Sequence, residues 1–109
     1  MTQAIGTVST FEDRKPYKFT IDGTDVMVAK VDDKFFAIND VCSHSEVSLS
    51  EGTIEGCAVE CWLHGATFDL ATGEPAGPPA TTAVATYEVT LGEGSDPEVL
   101  VNINESARN

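Results

Sequence analysis

Turn-forming residues interrupt this chain about every ten positions, and that punctuation sets its fold class. Gly, Pro, Asp and Ser leave no long stretch in which apolar residues recur at i, i+3, i+4 and i+7, so short strands are expected in place of helices. Lys18-Phe19-Thr20-Ile21 leads into the tight-turn pair Asp22-Gly23, and Val26 to Val31 forms the return strand. After Asp32-Asp33, Lys34 to Ile38 makes a third strand, which gives an antiparallel meander. Later strands are predicted over Ala58 to Glu60, Ala66 to Leu70, Val84 to Leu91 and Val99 to Ile103. Thr72-Gly73-Glu74-Pro75 and Gly77-Pro78-Pro79-Ala80 read as stiff loops, and Asn104 to Asn109 as a frayed tail. At 109 residues the chain has the size of one domain, so a single all-β domain over 1–109 is expected, a small antiparallel sandwich or meander.

Charge narrows the partners. Eighteen Asp and Glu stand against six Lys and Arg, a net charge of −12, which repels phosphate backbones and anionic lipid. Arg14, Lys15, Lys18, Lys30 and Lys34 lie in the first third, and no further basic residue occurs before Arg108. Neither nucleic acid nor membrane is expected as a partner. Met1 to Gly6 contains no basic segment leading into an apolar run, and no apolar stretch approaches the ~20 residues that span a bilayer, so a cytoplasmic monomer is expected. Three cysteines, Cys42, Cys57 and Cys61, point to metal ligation or buried thiols in preference to a disulfide framework.

Chemistry is concentrated in Cys42-Ser43-His44 and Cys61-Trp62-Leu63-His64. Each segment offers one thiolate and one imidazole, next to predicted strands whose tight loops can aim short side chains at a common point. A structural zinc finger usually groups its cysteines in one knuckle and its histidines on one helix, and neither pair is grouped that way here. Split pairs suit two metal ions, with a cysteine from each loop on one iron and a histidine from each on the other. His44 and His64 are the only histidines in the chain, and both fall in these segments. Cys57 lies outside them, and its alternation with Val59 predicts a buried strand position.

Together with Gly65, Phe68-Asp69, Thr72-Gly73 and Gly77-Pro78, these segments resemble the Rieske iron–sulfur family, and the preceding meander resembles that family's base sheet. The resemblance covers nearly the whole chain. It implies one [2Fe–2S] cluster on Cys42, His44, Cys61 and His64, carried by a subdomain of two loops within about 41–80. Respiratory members of the family add two cysteines that join their cluster loops; Val47 and Leu63 occupy those places here, so no such disulfide forms. The same members place a serine and a tyrosine after the second histidine, whose hydroxyls raise the cluster potential; Ala66 and Phe68 stand there instead. The missing donors and the absence of Lys or Arg from 35 to 107 both imply a low potential.

No Gly-rich nucleotide fingerprint is present, and a chain this short leaves no room for a substrate domain. The resemblance therefore implies an electron carrier and not an enzyme. It would run between an NAD(P)H-dependent flavoprotein reductase and the terminal oxygenase of an aromatic-ring dioxygenase system. A small subunit of another oxidoreductase, such as a nitrite reductase, and a zinc-bound structural or interaction module are the alternatives. Partner docking is expected around His44 and His64, with Trp62, Leu63, Pro78 and Pro79 as an apolar patch and Glu46, Glu60 and Glu74 as an acidic rim.

Overall fold

Both turn pairs read from the sequence close two-residue hairpins in the computed structural model, which describes residues 2–41, 47–62, 65–76 and 82–103. Nine strands run through the described residues: β1 (Thr2–Thr7), β2 (Tyr17–Ile21), β3 (Thr24–Val31), β4 (Lys34–Asn39), β5 (Thr53–Glu55), β6 (Ala58–Glu60), β7 (Thr67–Asp69), β8 (Thr86–Leu91) and β9 (Glu98–Asn102). Ile21 pairs with Thr24 across Asp22 (φ 50°) and Gly23 (φ 82°), and Val31 with Lys34 across Asp32 (φ 51°) and Asp33 (φ 68°). Positive φ at both central residues gives each turn the twist of its flanking strands, and Asp tolerates this region better than most side chains.

A six-stranded antiparallel sheet has the order β1-β9-β8-β4-β3-β2, and a second sheet of three short strands has the order β5-β6-β7. β3 and β4 are covered on both faces, which explains the nearly continuous apolar run of β3. Val26, Val28 and Ala37 face one core with Val99, Val101 and Phe11, where Phe11 meets Tyr17 and Phe35 edge-on. Met27, Ala29, Val31 and Ile38 face the other core with Leu49, Ile54, Val59, Cys61, Ala66, Phe68 and Leu70. The second core fastens the small sheet, and the loops at its end, onto the large one.

Strand boundaries differ from the sequence reading by up to two residues, and β8 begins at Thr86 because the amide of Val84 is drawn to the Gly73 carbonyl instead (2.8 Å). β1 and β5 were not legible in the sequence. β1 is an edge strand paired only with β9, exposed over its first half and offset in register between Ala4 and Gly6, so no alternating pattern marks it. β5 has three residues, of which only Ile54 is buried. The tail 104–109 and the loop 77–80 lie outside the described residues.

Candidate metal centre

Two loops are rooted in the second core. The first follows β4, and its stem is closed by a bridge between Val41 and Ser48 and by the Leu49 amide, which donates to the Asp40 carbonyl (2.6 Å). Cys42, His44 and Glu46 belong to this loop and lie outside the described residues. The second follows β6: the Cys61 amide donates to the Ala66 carbonyl (2.6 Å), and the Gly65 amide to the Cys61 carbonyl (3.0 Å). Gly65 closes that return at φ +76°, where a side chain would be strained. Leu63 and His64 of this loop lie outside the described residues. Leu49, Cys61 and Ala66 are buried in one cluster with Val47 packed on it, so both loops are rooted in the same core.

Cys61 has no exposed surface, whereas its neighbour Trp62 is 52% exposed. The loop therefore turns a soft donor inward and a large aromatic outward within two residues. Val41, at the stem of the first loop, is also exposed, at 41%; its place directly before Cys42 was the available signal. Glu60 is exposed on the β6 end of the second loop, with its carboxylate against Gly65. Glu74 is exposed too, but its carbonyl bonds to Asp69, at the end of β7 away from the loop, whereas Ala76 bonds to Thr67 at the near end. Glu74 is thus set back by two strand positions, about 7 Å, from Glu60's partner Thr67. Pro78 and Pro79 lie outside the described residues.

Ala66 and Phe68 are both fully buried, and neither side chain can donate a hydrogen bond. Cys57 corrects the sequence reading: it is exposed, not buried. Glu55 pairs with Ala58, so Gly56 and Cys57 form the hairpin turn and the alternation through Val59 stops before reaching Cys57. Partial burial, followed by the Asp69 charge, pushes its thiol pKa up. Among the described residues no three His, Cys, Asp or Glu side chains converge on a metal site; three of the four candidate ligands fall outside that set.

Comparison with known proteins decides the family. The family profile "Rieske [2Fe-2S] domain" matches residues 1–88. The chain belongs to the Rieske [2Fe–2S] family. The anthranilate 1,2-dioxygenase ferredoxin subunit of Burkholderia cepacia is 33% identical over 99 residues, 91% of this chain and 89% of that one. Ferredoxin CarAc of Metapseudomonas resinovorans is 45% identical over 67 residues, 62% of this chain and 63% of its relative. Among solved structures, a complex of reduced oxygenase and oxidized ferredoxin in carbazole 1,9a-dioxygenase superposes with a TM-score of 0.86 at 32% identity, covering 99% of this chain and 94% of that one.

The cofactor of this Rieske chain is one [2Fe–2S] cluster. Its residues fit that group: Cys61 supplies a buried thiol at the root of a tight loop, and soft thiolate with imidazole is the donor set such a cluster takes.

Proposed function

We propose that Cys42, His44, Cys61 and His64 hold the cluster and that this chain carries single electrons from an NAD(P)H-dependent flavoprotein reductase to the terminal oxygenase of an aromatic-ring dioxygenase system. When bound, the cluster accepts one electron and returns it. The chain's own residues do the rest: the second core keeps Cys61 from water, and Trp62 and Val41 offer apolar surface to a partner. The observation that carries the reading is the pairing of buried Cys61 with exposed Trp62 on one short loop. Relatives that are ferredoxin components of dioxygenases, and a ferredoxin solved with its oxygenase, favour this reading over a nitrite reductase subunit.

Docking centres on the two histidine-bearing loops, with Trp62, Leu63, Pro78 and Pro79 inside an anionic rim of Glu46 and Glu60, and Glu74 at its outer margin, two strand positions further back. Such an interface is small and transient, because a shuttle must leave one partner to reach the next. The carrier acts as a cytoplasmic monomer of one domain, with the cluster-binding part within about 41–80. Stopped-flow reduction by the cognate reductase tests the assignment. Trp62→Ala is expected to slow transfer severalfold with an unchanged cluster spectrum. Glu60→Lys is expected to flatten the decline in rate as salt shortens the Debye length from ~10 to ~3 Å. Rates indifferent to salt and to both substitutions would place docking elsewhere.

A further inference from the structure

Asp40 is the only charged residue among the described residues whose side chain is wholly buried. It stands two positions before Cys42, and its polar groups gather the stem of that loop. Its amide donates to the Asp25 carbonyl (2.9 Å), and its carbonyl accepts from the Leu49 amide (2.6 Å). Oδ1 accepts from the Ser50 amide (2.8 Å), while the buried Oδ2 makes no hydrogen bond. Among the described residues the cation beside it is Lys18 on β2, whose Nζ lies 3.9 Å from that oxygen and 4.0 Å from a carboxylate oxygen of Asp25.

A neutral side chain could accept the Ser50 amide without the cost of burying a charge, so the carboxylate needs a reason. A charged acceptor makes the stronger bond, and it also adds a negative charge at the stem of the loop, two residues before Cys42, which would oppose reduction of a metal group held there. Lys18 offsets that charge from the solvent side.

We infer that Asp40 is the positioning residue of the Cys42/His44 loop and that Lys18 neutralises it, so that the pair holds the loop without lowering the potential of the cluster. The inference rests on the ligand assignment proposed above. Potentiometry and electron paramagnetic resonance on the holoprotein, with hydrogen exchange at the Leu49 and Ser50 amides, test it.

Asp40→Ala is expected to lose at least half of its iron and to exchange the Ser50 amide about tenfold faster, as loss of one charge-assisted hydrogen bond implies. Asp40→Asn keeps an acceptor oxygen, so it should retain the cluster and slow exchange but titrate at a higher potential than wild type. Lys18→Met should move the potential down, and the double variant Lys18→Met/Asp40→Asn should return towards wild type. A purely structural role would change cluster content without these opposite shifts. Asp40→Ala with full iron, unchanged exchange and unchanged potential would overturn the inference. So would shifts of the same sign in Lys18→Met and Asp40→Asn, a comparison that stands even if Asp40→Ala does not fold. A wild-type protein without a Rieske signal would defeat the ligand assignment instead, while the exchange measurement would still report whether Asp40 holds the stem.

Discussion

Phe68→Ala should cut the small sheet loose from the large one. Among the described residues Phe68 is the largest fully buried side chain; it pairs with Val59 of the three-stranded sheet and belongs to the core that joins this sheet to β3 and β4. Truncating a buried phenylalanine removes its transfer free energy and leaves a cavity, together about 3–5 kcal/mol. At about 2.1 cal/mol/K per residue, a chain of 109 residues unfolds with an entropy near 0.23 kcal/mol/K, so the loss corresponds to a melting temperature lower by about 13–22 °C. Cluster release should come first, because both loops are rooted in the damaged core while the other core, around Phe11 and Val99, is untouched. Thermal melts followed in parallel by far-ultraviolet circular dichroism and by visible absorbance read both effects. Trp62→Ala, at an exposed position, is the control and should move the melt by no more than about 2 °C. A Phe68→Ala protein melting within about 4 °C of wild type, with its colour retained to the same temperature, would refute the claim that this core holds the cluster loops.

Ala66→Ser and Phe68→Tyr each restore a hydroxyl at a buried position beside the second loop and should raise the midpoint potential. The wild-type midpoint is expected in the lower part of the Rieske range of about −150 to +300 mV, and a value above about +150 mV would contradict the donor argument. Gly73→Ala should cost about 2–5 kcal/mol, from a left-handed backbone at φ +76° and from overlap with the Val84 carbonyl that the Gly73 loop packs against; near-native chemical denaturation would count against that packing. Cys57 should react slowly with iodoacetamide at neutral pH, since its raised pKa keeps the thiolate scarce, and faster as pH rises, with the cluster spectrum intact; bleaching in step with labelling would tie Cys57 to the centre.

The central meander was legible because its information is local: Asp22-Gly23 and Asp32-Asp33 specify turns, and the residues between them are apolar or β-branched. Scarcity made the candidate ligands legible, since a chain with two histidines places both beside cysteines. Features that depend on distant packing were hidden. β1 becomes a strand only because β9, nearly a hundred residues on, offers it an edge. Cys57 was read as buried because its alternation with Val59 was extended through what is a turn. Asp40 looked like one more acidic residue of an acidic chain. Its parity with buried Ile38 was the available sign that it points inward, but only the structure shows Ser50 and Lys18 brought to it.

Because His44 and His64 are the only histidines, growing the protein with 15N-histidine labels the two proposed imidazole ligands and nothing else. Pulsed electron paramagnetic resonance on the reduced, labelled protein is the most direct test of the cluster assignment. The expected result is a Rieske-type signal from about two irons and two sulfides per chain, with hyperfine coupling to two 15N nuclei. A colourless zinc protein, or a cluster signal without coupling to labelled histidine, would contradict it.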